Sequence, residues 1–144
     1  LETLFKASDR LVERCSAAGM HDLVSRIGEL ERLSAEDGVR VSRASAADFL
    51  CLAVAHRLAR PALSVTDGGT FRAVWKGEEW QAGLHFLGGG QINFVVTNSV
   101  GGKVDRNYGR SAMGPIRRYL KAVGVWHRMR RPGTSGRFSS SPNS

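Results

Sequence analysis

Cysteine is scarce in this chain: Cys15 and Cys51 are the only two among 144 residues. Two thiols so far apart supply neither a disulfide framework nor a structural zinc site, and a reducing, cytoplasmic setting is expected. Histidine is scarce too. His21, His56, His85 and His127 include no two at ligand spacing, and no cysteine pair lies near them, so no metal centre and no cofactor are expected. No apolar run approaches the roughly 20 residues that span a bilayer. Leu1 to Phe5 show no basic segment leading into an apolar stretch, so no signal peptide is expected. No internal repeat is visible. Against these absences, 42% hydrophobic and 24% charged residues match a folded globular chain and exclude wholesale disorder. The length suits a single domain, expected over 1–127.

Acidic residues nearly vanish toward the C-terminus. Residues 1–102 hold 11 Lys and Arg against 12 Asp and Glu, whereas residues 103–144 hold 10 against Asp105 alone. A near-neutral body thus carries a strongly basic final third, which would be drawn to phosphate backbones, acidic protein surfaces or anionic lipid. A solubilising tail explains the same composition.

The hydrophobic spacing changes period along the chain. Three- and four-residue spacing predicts helices over 2–17 and 21–33, and an almost uninterrupted apolar run predicts a buried helix over 45–58. Ser45 and Asp48 have the spacing of a capping box at its start. From Ala62 the pattern alternates and predicts strands over 62–67, 70–76, 80–87 and 91–98, with Gly-containing connections between them. Phe71, Trp75, Leu84, Phe86, Ile92 and Phe94 fall on one face, which needs a helical cover. After Gly101-Gly102 helical spacing returns and predicts a helix over 112–123. Residues 128–144, rich in Pro, Gly and Ser, read as a disordered basic tail. The expected class is α+β: N-terminal helices, an antiparallel meander of three or four strands, and a C-terminal helix.

Candidate chemistry is sparse. Cys51 lies in the most apolar helix, where a thiol is inert, and no serine sits in a nucleophile elbow. Gly88-Gly89-Gly90 lacks the Gly-Lys-Ser/Thr ending of a phosphate loop and precedes a strand, so it reads as a turn. Glu78 and Glu79 are solvated turn charges rather than an acid/base pair. No catalytic residue is assigned. Two surfaces remain. The first is the constellation Arg110, Arg117, Arg118, Lys121, Arg128, Arg130 and Arg131, interleaved with Tyr108, Tyr119, Trp126 and His127; cations mixed with aromatics suit phosphate contact and cation–π stacking. The second is the polar sheet face, with Arg72, Lys76 and His85 beside Gln81, Asn93 and Thr97. On the sequence alone that face has no exposed aromatic, because Phe71, Phe86 and Phe94 alternate to the other side.

The run Gly68-Gly69, Trp75, Phe86-Leu87-Gly88-Gly89-Gly90 and Ile92 resembles short uncharacterised bacterial proteins found on mobile elements or beside toxin–antitoxin genes. The resemblance implies a small bacterial accessory protein and transfers no functional residue. The expected function is a non-enzymatic interaction or regulatory module, antitoxin-like in kind, whose basic C-terminal segment contacts nucleic acid (RNA or DNA) or an acidic partner. The alternatives are a small nuclease-like toxin using His85 with Arg72 and Lys76, and an adaptor that self-associates into a homo-oligomer through its N-terminal helices.

Overall fold

Leu23, Ile27 and Leu30 recur on one side of a helix and are buried there, winding His21–Glu36 into α1. It runs three residues past the expected end at Leu33. Gly38, at φ +79°, stops it: the Gly38 and Val39 N–H groups turn back to the carbonyls of Ala35 and Ser34, the double bond of a Schellman cap. The computed structural model describes residues 19–131; the helix read over 2–17 and the tail residues 132–144 lie outside the described residues.

Helix α2 spans Arg43–His56, two residues earlier than expected at either end. Its cap is Ser42, whose hydroxyl accepts the Ser45 N–H at 3.1 Å. The supposed capping box serves another purpose. Ser45 is fully buried, and its hydroxyl donates to the Phe86 carbonyl (2.5 Å) and accepts the Phe71 N–H (2.8 Å). Asp48 accepts the Gly90 N–H at 2.8 Å. The two polar residues therefore tie the helix to the sheet.

The sheet is antiparallel, with five strands in the order β1-β2-β3-β4-β5: Ala62–Val65, Phe71–Gly77, Trp80–Gly88, Gln91–Val100 and Lys103–Ala112. The architecture is α+β as expected, but the meander has five strands rather than three or four. β5 is the addition. Val100 pairs with Lys103 around Gly101-Gly102, both at positive φ, the geometry of a two-residue hairpin turn whose twist suits the strands.

Ala112 therefore belongs to β5, and the predicted helix over 112–123 starts only after the Met113–Pro115 turn. It spans Ile116–Ala122 as α3, followed by the single turn α4, Trp126–Met129. Residues 128–131, read as the start of the tail, are bonded to the body. Met129 is buried, its carbonyl accepts the Ala59 N–H at 2.6 Å, and the Arg131 N–H donates to Arg57. Leu58 and Arg130 form an isolated bridge.

The core lies between the helices and one face of the sheet. Phe71, Trp75, Leu84, Phe86, Ile92 and Phe94 all point into it, as alternation requires. α2 crosses β3, with Phe49 edge-on to Phe86 at 5.6 Å, and α3 contributes Ile116 and Leu120. Each such side chain contributes about 1.5–3 kcal/mol of burial. Trp75 satisfies its indole by donating to the Ala59 carbonyl at 2.7 Å. Among the described residues no helix is long and apolar enough to cross a membrane.

Candidate functional site on the open sheet face

With one face of the sheet covered by helices, alternation sends every second side chain to the other face, which nothing described covers. Cross-strand pairing arranges those side chains in rows, because directly opposed residues share a face. Arg72, His85, Asn93 and Arg110 form one row across β2 to β5. Val74, Gly83, Val95 and Tyr108 form the middle row, and Lys76, Gln81, Thr97 and Arg106 the third. Cations thus stand at four corners, two on β2 and two on β5. They are about 14 Å apart across the sheet and about 13 Å apart along the strands. None of these positions is a carboxylate, and Asp105 pairs with Asn98 on the covered side.

The centre of the face is different. From Trp80 to Gly102 the chain has no charged side chain. Gly83 leaves a gap in the middle row, and a depression of about 320 Å³ lies over it, walled by Val74 and Val95 and by Arg72, Gln81, His85, Asn93 and Thr97. One strand beyond Val95 in the same row stands Tyr108, an aromatic with 75% of its surface exposed.

The polar groups around the depression divide into held and unheld. Arg110 donates through Nε to Asn93 Oδ1 at 3.0 Å. His85 Nε2 lies 2.6 Å from the Thr70 hydroxyl, itself 2.7 Å from that of Thr66. Burial, and then the Arg72 guanidinium, hold the His85 imidazole below its ordinary pKa, so it is neutral at pH 7. Gln81, Thr97, Arg72, Lys76, Arg106 and Tyr108 make no side-chain hydrogen bond or ion pair among the described residues. Lys76 stands about 13 Å along the strands from the His85 row. No carboxylate orients His85 within the described residues, and no group of His, Cys, Asp and Glu there could hold a metal ion.

The basic constellation read from the C-terminal third does not assemble on one surface. Arg110 is on the open face. Arg117 and Arg130 flank His56 on the helical side, where burial first, and then their charges, push its pKa down; Arg130 also donates to the His56 carbonyl at 3.0 Å. Arg128 reaches Asn98 Oδ1 at 3.4 Å, while Asn98 Nδ2 donates to the Val123 carbonyl. Arg118 and Lys121 are exposed on α3, and Arg131 is exposed where the described chain ends. The interleaved aromatics divide likewise: Tyr119 stacks on Phe94 at 5.7 Å and Trp126 packs edge-on to His56 at 5.2 Å. Only Tyr108 is displayed on the open face.

Arg72, Lys76 and His85, read as a face from sequence, do share it. Sequence reasoning missed Arg106 and Tyr108 as their neighbours because β5 was not recognised. The signal available was the Gly101-Gly102 pair with Val100 and Lys103 on either side, a hairpin turn that demands a returning strand. No protein-family model, curated protein or solved structure matches this chain.

Proposed function

We propose that the protein is a non-enzymatic module that binds single-stranded nucleic acid across the open face of its sheet. One observation carries this reading: β5 places Arg106, Tyr108 and Arg110 beside Arg72, Lys76, Gln81 and Asn93 on a face without a carboxylate. Corner cations suit phosphates, and an exposed aromatic with the Gln81 and Asn93 amides suits bases, whose faces stack and whose edges donate and accept hydrogen bonds. A duplex buries its base faces in the stack and occupies their Watson–Crick edges by pairing, so a single strand is favoured. An acidic protein would use the cations but has no need of Tyr108 and the amides. On this reading the protein acts by occupancy, as a regulatory or antitoxin-like module does, in the cytoplasm expected from its two cysteines.

The test is binding of labelled single-stranded RNA, single-stranded DNA and duplex by the full chain, followed by anisotropy. Arg72→Glu with Arg110→Glu is expected to weaken single-strand binding by tenfold or more. Arg118→Glu with Lys121→Glu, on the helical side, is expected to leave it within about twofold. The reverse pattern would move the site to the C-terminal helices. Absence of binding at moderate salt would overturn the nucleic-acid reading and leave an acidic protein as the partner.

A further inference from the structure

We infer that the depression over Gly83 is a subsite for one unstacked, carbonyl-bearing base of the bound strand, an inference that rests on the sheet-face reading above. Three features carry it. First, the gap has a cause in the chain: Gly83 is the one residue of the middle row without a side chain, and the apolar flanks of Val74 and Val95 stand on its two sides. A Cβ built on Gly83 would meet its nearest neighbours, Val74 Cγ2 and the Val95 carbonyl, only at 3.9 Å. A side chain there would make ordinary van der Waals contact, so no close approach requires glycine at this position. A flat ring laid there covers apolar surface that is now wet.

Second, the space has the right size. A depression of about 320 Å³ holds a base with its sugar and is too small for a stack of several nucleotides. The rows on either side, about 7 Å from Gly83 along the strands, bring amide and hydroxyl groups to the edge of such a ring. Gln81 and Thr97 stand on one side and Asn93 on the other.

Third, one of those groups has a fixed polarity. A guanidinium only donates, so the bond from Arg110 Nε to Asn93 at 3.0 Å obliges the amide to turn its oxygen toward β5. That leaves the Asn93 N–H₂ as a donor on the side away from Arg110. A donor there recognises an acceptor, and among base edges the exocyclic carbonyl is the strongest. Uracil carries two and adenine none. Arg110 thus has two tasks: it meets a phosphate and it orients the reader.

The experiment uses the full chain and a labelled single strand of about ten nucleotides. Each position in turn carries uracil, adenine or no base. One position is expected at which removing the base costs about tenfold in affinity, with adenine weaker there than uracil by several-fold. Gly83→Val, which fills the gap and suits a strand interior, is expected to erase that position dependence while salt-sensitive binding persists. Circular dichroism checks that the variant is folded. Should valine disrupt the sheet, Gly83→Ala gives the same readout at smaller amplitude, because its methyl enters ordinary contact only. If no position is sensitive, or if both Gly83 variants keep the full dependence, the subsite is overturned and the sheet-face reading stands. Equal affinity for uracil and adenine at the sensitive position would overturn the assignment of Asn93 as a carbonyl reader. If the unmodified protein binds no strand at all, the failure is that of the proposed function itself.

Discussion

His85 stands between a hydroxyl and a guanidinium, and both its surroundings and its position disfavour the charged ring. Burial is the larger cause and Arg72 the smaller; at His56 burial again leads, followed by Arg117 and Arg130. The sign of the consequence follows from linkage. In the unfolded chain each imidazole takes up its proton near pH 6.5, whereas in the folded protein it does so only at lower pH. Between those values the unfolded state binds more protons, so stability is full above about pH 6.5 and declines as the pH falls through the folded values. Urea titrations from pH 7.5 to 5 should show this decline, and the double variant His56→Gln, His85→Gln should flatten it. An unchanged slope in that variant would place the acid sensitivity elsewhere.

At the scale of elements, the contact between α2 and the sheet depends on a hydroxyl as well as on apolar surface. Ser45 satisfies a buried carbonyl of β3 and a buried N–H of β2 at once. Ser45→Ala should cost about 1–3 kcal/mol, the desolvation penalty of polar groups left without partners, read as a lower urea midpoint at unchanged slope. A loss under half a kcal/mol would mean that water replaces the hydroxyl. The same segment shows why local grammar misleads. Ser45 and Asp48 carry capping-box spacing, but their partners, Phe71, Phe86 and Gly90, are 26 to 42 residues away, where no local pattern reports them. β5 escaped the sequence reading for a related reason. Alternation betrays a strand only when one of its faces is buried. Of its ten residues only Ser111 is buried, and its covered-side positions Asp105, Asn107 and Gly109 are polar or small. As the edge of the sheet, β5 has no apolar face to announce it.

For the whole molecule, the question is where the positive charge resides once the chain is folded. In sequence it belongs to residues 103–144. In space it is divided: Arg106 and Arg110 join Arg72 and Lys76 on the open face, whereas Arg117, Arg128 and Arg130 serve the helical side. If four cations on the open face meet phosphates, the logarithm of single-strand affinity should fall with the logarithm of salt at a slope of about −3. Reversing Arg72 and Arg110 should flatten that slope by about half. A slope steeper than about −5 would show that cations beyond the face take part.

The amino-acid sequence by itself determined the α+β class, the buried face of β2 to β4, and the presence of Arg72, Lys76 and His85 on the opposite face. Those features follow from local periodicity, because burying one side of a helix or strand writes the pattern into neighbouring residues. Tertiary structure decided the register in which β5 pairs with β4, which brings Arg106 and Arg110 to the open face and away from Arg117, Arg128 and Arg130. It also decided that Arg128 and Arg130 are bonded to Asn98 and His56, and that the missing side chain of Gly83 lies in the middle of a basic face, in the same row as Tyr108. Those depend on pairing and packing between residues distant in the chain, and an exposed edge strand leaves no hydrophobic signature from which they could be read.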